Sequence, residues 1–218
     1  FKALMYGDDM GINKFGLGLN EQTLKYISQN MPSAFQLLPS RKYVDEKGNK
    51  YVIDLASLYL LPPGSPQPTS TRELDYNATT LFMILNGRNQ LMFPFADSLH
   101  SNVDNLDLSG IRTYNIVGCG TPTIGKIIST RKKSGHAVGE SFSNDYRLGY
   151  IDGDSTVPLI SSTDQPTNLA YYVNKVDHAE LPSANGARQL ITSILQNKES
   201  EFTIDNFPNL STSTKVCS

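Results

Sequence analysis

The 218-residue chain has no surplus of charge of either sign: 19 Lys and Arg against 21 Asp and Glu leave a formal net charge of −2. Nucleic-acid binding would favour a basic face, so the charge balance gives no reason to expect that partner. Long apolar runs are missing too, with none near the roughly 18 residues of a transmembrane helix. The opening FKALMYGDDMGINKF has neither a starting Met nor the charged-then-apolar layout of a signal peptide, and the segment reads as the inside of a longer product. Cysteine is scarce. Two residues, Cys119 and Cys217, are too few for a disulfide framework and are expected to be unpaired, one a small core residue and one a tail thiol. With three histidines besides, no zinc-site spacing can be assembled. Two N-x-[ST] triplets, at Asn77 and Asn209, matter only in a glycosylating host. What is present is a globular composition, 39% hydrophobic and 18% charged, long enough for one sizeable core or two small ones.

Residues 20–31, NEQTLKYISQNM, predict a short helix with Asn20 as N-cap, Leu24 and Ile27 on one face and Pro32 as terminator. In 32–55, Gly48 lies in a polar turn between two strand-like pieces, which predicts a hairpin. Residues 61–76, rich in Pro, Ser and Thr, read as an exposed loop, and 77–86, NATTLFMILN, as a helical patch. The interval 33–105 thus alternates short elements and loops, as an insertion over a core does. Thr113–Val117 is an apolar strand candidate ending in Gly118 and Gly120, residues that allow close approach of a backbone or ligand. Residues 131–149 are polar, a hairpin or loop. NLAYYVNKV (168–176) alternates as a strand, and Ala187, Leu190, Ile191, Ile194 and Leu195 mark a final helix. The tail from Asn197 is polar and aromatic without a period.

The stretch YIDGDSTVPLISS (150–162) carries the chemistry. As the Asp-x-Asp motif of a haloacid-dehalogenase phosphatase, it would make Asp152 the nucleophile and Asp154 the acid. DYRLGY is a poor buried strand for that motif, however, and the 64 residues after Asp154 (218 − 154) hold no second acidic pair for Mg²⁺. As a Gly-Asp-Ser lipase motif it would make Ser155 the nucleophile and His178 the base, but that pattern needs an Asp three residues before the His, where Lys175 stands. Gly139-Glu-Ser141 looks like a nucleophile elbow, yet the fifth position is Ser143 and no helix follows. Only 13 residues separate Ser141 from Asp154 (154 − 141).

The remaining reading makes Asp154 the acid of a Ser-Asp-His triad. A serine hydroxyl becomes a competent nucleophile when a neutral imidazole takes its proton, and the carboxylate fixes the tautomer of that imidazole. The chain order Ser…Asp…His places the acid on a strand-end turn and the base one strand later. Gly153-Asp154 supplies the turn, NLAYYVNKV the strand, and His178, 24 residues on (178 − 154), the loop before the last helix. Alone, an Asp in a Gly turn is a turn former and a His at a helix entrance a surface residue; the ordered set favours the functional reading.

DGDSTVPLISS followed by VDHAELPS resembles the lecithin:cholesterol acyltransferase family of α/β-hydrolases, as do GDDMGI, MPSAFQLLPS and YNIVGCGTPT. The resemblance runs from about Gly7 to the final helix. It implies an α/β fold, the C-terminal half of an α/β-hydrolase with mostly parallel strands and an inserted cap. Asp154 would be the catalytic acid and His178 the base, with Ser155 in place of the usual Gly and with Asp152 and Thr156 shaping the turn. Residues 1–32 would be a core segment, 33–105 the cap or part of it, 106–197 the core carrying acid and base, and 198–218 a tail. No position matches the G-x-S-x-G elbow, so the nucleophile and the oxyanion donors are expected in an upstream half of the same protein. The implied activity is a serine acyl hydrolase or acyltransferase on lipid or other carboxylic esters, with no metal or organic cofactor, contact with a lipid surface, and a secreted or cell-surface location. The stretches YVIDLASLYLL and TLFMILNG read either as acyl-groove lining or as core packing. A non-catalytic, truncated hydrolase-like binding module is the competing expectation.

Overall fold

The computed structural model describes residues 20–55, 73–134, 141–164, 167 and 169–217. It is a mixed α/β structure with two three-stranded sheets, divided into two compact units, one of Phe1–Val52 and Arg72–Leu106 and one of Ile53–Thr71 and Asp107–Ser218.

The first unit is helical. Helix α1 (Glu21–Gln29) starts where the sequence predicts, with Asn20 Oδ1 accepting the Thr23 N–H at 2.8 Å, which satisfies one of the free donors of a helix start. Its inner face is Leu24 with Ser28, whereas Ile27 is 43% exposed. Pro32 opens a further helix, α2 (Pro32–Gln36), a role that suits a residue with no N–H to satisfy. The hairpin expected around Gly48 does not form. A π-helical turn occupies Lys42–Glu46, and Gly48 (φ +70°) ends it, with the Lys47 and Asn49 N–H groups returning to the Lys42 and Tyr43 carbonyls. A left-handed glycine is as useful at a helix C-terminus as in a hairpin, and here the helical use wins. Strand β1 is only Val52–Asp54.

Helix α3 (Tyr76–Leu85) is capped by Asp75, which accepts the Ala78 N–H at 2.7 Å. Helix α4 (Phe93–Asp104) has Pro94 in its first turn. Phe35, Leu38, Met83, Phe93 and Ala96 form one core, with the Phe35 and Phe93 rings edge to face at 5.0 Å, a favoured aromatic geometry. Val44, Tyr51, Val52, Leu74 and Tyr76 form a second. Of the two apolar stretches, Tyr51, Val52 and Met83 are therefore core residues, Leu81 and Leu85 are exposed, and residues 56–61 lie outside the described residues, as does most of the predicted 61–76 loop.

The second unit carries every strand residue except Val52 of β1. Strand β2 (Tyr114–Cys119) and strand β5 (Leu169–Asn174) pair in parallel, in register from Tyr114↔Leu169 to Cys119↔Asn174. Both faces of this pair are covered, as parallel strands require. On one face Val117, Cys119 and Tyr172 meet Leu159, Val216 and Cys217. On the other, Val173 and Ile116 meet Ala187 of helix α5 (Asn185–Leu195) and Leu210 and Phe207 of the tail. Leu190 of α5 is buried, but Leu195, predicted on the same face, is 78% exposed at the helix end. The period-less tail is structured: strand β6 (Leu210–Ser211) pairs antiparallel with β5.

Between β2 and β5 the chain makes a long excursion. Strands β3 (Thr121–Ser134) and β4 (Ser141–Gly153) pair antiparallel, with a bulge between Ile124 and Lys126; residues 135–140 lie outside the described residues. DYRLGY, a poor buried strand by its pattern, is strand all the same, carried by its pairing with β3 and not by burial. The expectation of a mostly parallel sheet is met by β2–β5 alone among the registered pairings; β3–β4 and β5–β6 are antiparallel.

Candidate active site

The β3–β4 excursion leaves from the carboxyl end of β2 and returns to it. Thr121 pairs with Gly153, an isolated bridge joins Thr121 to Asp154, and Asp152 Oδ1 accepts the Gly120 N–H at 2.7 Å. Asp154 is thereby set on Gly118 of β2: a Cβ added at Gly118 would stand 2.6 Å from the Asp154 Cβ, closer than two carbons can approach. Only glycine leaves room for that side chain. The strand-end glycines that the sequence singles out are thus accounted for, Gly118 by Asp154 and Gly120 (φ +77°) by Asn174.

Both oxygens of the Asp154 carboxylate are engaged. Oδ1 accepts the N–H groups of Thr156 at 3.1 Å and Val157 at 2.7 Å, and Oδ2 lies 2.8 Å from His178 Nδ1. The backbone repeats the contact, with the His178 N–H donating to the Asp154 carbonyl at 2.8 Å. A carboxylate only accepts, so Nδ1 carries the proton and Nε2 of the neutral ring is left as the acceptor. The Asp154 side chain is 5% exposed and that of His178 50%. Among the described residues nothing bonds Nε2. A buried acid holding the back of an imidazole whose front is open is the arrangement a general base needs.

The two sequence-predicted site residues, Asp154 and His178, are therefore brought together, at the carboxyl ends of the adjacent parallel strands β2 and β5. Asp152 accepts the Gly120 N–H on its carboxylate and Thr156 gives its own N–H to the Asp154 carboxylate, so both shape the turn. Ser141 lies at the far end of β4; at about 3.3 Å per residue the twelve steps to Gly153 span about 40 Å, too far for it to share a site with His178. Ser155 projects from the turn with φ +71° and gives its N–H to Thr123 Oγ1 at 2.8 Å. No group of three or more His, Cys, Asp or Glu side chains among the described residues is arranged to hold a metal ion.

One expectation is overturned beside the site. Cys119 and Cys217 are joined in a disulfide, with Cα atoms 5.4 Å apart. Strand β6 and the turn after it carry the C-terminal segment back across β5, so that Cys217 reaches the last residue of β2. Nothing in the spacing of the two cysteines signals this pairing, because it depends on where a two-residue strand lands. Cys119 is also the residue whose carbonyl accepts the Lys175 N–H at 2.7 Å, which fixes the turn (Lys175 φ +56°) that leads from β5 to His178.

No known protein-family model matches the chain, and no curated protein sequence matches it significantly.

Proposed function

We propose that this chain is the acid- and base-carrying portion of a serine acyl hydrolase or acyltransferase with an α/β-hydrolase core, of the lecithin:cholesterol acyltransferase kind. The observation that carries the reading is the 2.8 Å contact between Asp154 Oδ2 and His178 Nδ1, with the carboxylate buried and the outer ring nitrogen open. Two further features support it. Acid and base stand at the carboxyl ends of neighbouring parallel strands, where such sites are built. The turn after Asp154 adopts a left-handed conformation at Ser155, the position at which the family carries glycine.

A serine outside these residues attacks the ester carbonyl while His178 Nε2 takes the hydroxyl proton. The same nitrogen then returns that proton to the departing alkoxide, which leaves as the alcohol. In the second half, water or an acceptor alcohol gives its proton to Nε2 and attacks the acyl-enzyme, and the proton passes back to the serine. Asp154 holds the ring in one tautomer and stabilises the imidazolium at each stage. The substrates are lipid or other carboxylic esters. The Cys119–Cys217 disulfide favours an oxidising, secreted or surface setting, since structural disulfides persist there.

The test is ester turnover and fluorophosphonate labelling of the full gene product. Labelling of one serine upstream of this segment, with turnover lost in His178→Ala, is the expected result. Full turnover in His178→Ala would refute the assignment, and a product that neither labels nor turns over esters would favour the binding module.

A further inference from the structure

The turn that aims the Asp154 carboxylate is held in a conformation that a serine does not choose. Ser155 has φ +71°, the left-handed region in which the Cβ of an L-residue crowds the following carbonyl. That conformation folds the next two N–H groups, of Thr156 and Val157, back onto Asp154 Oδ1, leaving Oδ2 for His178. If Ser155 relaxed to a negative φ, those donors would swing away and the carboxylate would lose the two bonds that fix its plane.

What holds Ser155 comes from β3. Thr123 is 1% exposed, and its Oγ1 donates to the Thr121 carbonyl at 3.1 Å and accepts the Ser155 N–H at 2.8 Å. With its one proton committed to Thr121, the hydroxyl has only lone pairs to offer Ser155, so its role there is fixed as acceptor. Branching at Cβ restricts the rotamer that aims it. Gly153 makes the approach possible, because a Cβ there would stand 2.4 Å from Thr123 Oγ1. Resting on the acid–base reading of Asp154 and His178, we infer that Thr123 is a positioning residue for that pair, acting through the backbone of Ser155.

The tautomer of His178, read by long-range ¹H–¹⁵N NMR on the full gene product, tests the inference by a readout other than turnover. The unmodified chain should show the Nδ1–H form that Asp154 selects. Thr123→Val, which keeps shape and loses the hydroxyl, should move the ratio severalfold toward Nε2–H, the form an unpartnered imidazole prefers. Thr123→Ser should keep the original ratio. Thr123→Val combined with Ser155→Gly should recover it, because glycine takes the left-handed conformation unaided; a purely packing role for Thr123 would not be rescued at residue 155.

An unchanged ratio in Thr123→Val would overturn the inference. So would failure of the double variant to recover while its circular dichroism stays native. An Nε2–H ring in the unmodified chain would instead remove the Asp154–His178 pair, and the functional reading with it.

Discussion

Replacing Cys217 by Ser removes a cross-link between points 98 residues apart in sequence. Closing a loop of about 100 residues restricts the unfolded chain by about 4.7 kcal/mol. The choice of cysteine matters. Cys119 is fully buried beside Val117 and Tyr172, where a free thiol behaves as a small apolar side chain. Cys217 is half-buried in the closing turn, so a hydroxyl there costs little. The loss should therefore be nearly all cross-link, about 4–5 kcal/mol, or a fall of about 10–15 °C in the melting of the second unit. Urea melts of the oxidised chain, the reduced chain and Cys217→Ser check this: the last two should coincide and fall well below the first. Thiol titration of the denatured, unreduced chain should find no free thiol. Two free thiols, or a difference under about 1 kcal/mol between the oxidised chain and the variant, well below the usual contribution of such a bridge, would refute the reasoning.

Gly118→Ala puts a methyl carbon 2.6 Å from the Asp154 Cβ; overpacking of this kind costs about 1–3 kcal/mol, and the variant should lose stability in denaturant and lose the Nδ1–H tautomer of His178 together. Ser155→Gly alone should raise stability by about 0.5–1 kcal/mol, the left-handed cost of serine less the extra entropy of glycine, measured by the same melts. Leu190→Ala, in the core, should cost about 2–5 kcal/mol, whereas Leu195→Ala, five residues along the same helix but exposed, should change stability by no more than about 0.5 kcal/mol. In the first unit, partial burial opposes ionisation of Asp45, but the Tyr76 N–H and the Lys50 and Arg41 cations outweigh it and hold its carboxyl below the ordinary value. Its contribution is then present above the unfolded carboxylate range and lost as pH falls through the lowered folded value, so Asp45→Asn should flatten the acid limb of stability below about pH 4.

The meeting of Asp154 with His178 was legible because its signal is local: an Asp-containing turn, an alternating strand and a His before a helix can be read in order without knowing the sheet. The strands at Thr113–Val117 and NLAYYVNKV were legible for the same reason, the first from a short apolar run and the second from its alternation, both local patterns. Gly48 shows where a local signal divides, because one left-handed glycine serves a hairpin or a helix end equally well and only the carbonyls it meets decide. Ile27 and Leu195 fit the helical period, but a period gives a direction and not the distance to the nearest neighbour, which runs out at the edge of a small core. The disulfide and the β3–β4 excursion depend on long-range return: DYRLGY is strand because β3 lies beside it, and Cys217 is paired because two residues of β6 dock on β5. Ser155 joins the two kinds of information. A serine where the resemblance expects glycine reads from sequence as a small change, yet its φ of +71° means that the backbone need which glycine would meet is still there. The structure meets it from 32 residues away, through the hydroxyl of Thr123, so a departure from a motif at one position has its physical complement at another that lies on a different strand.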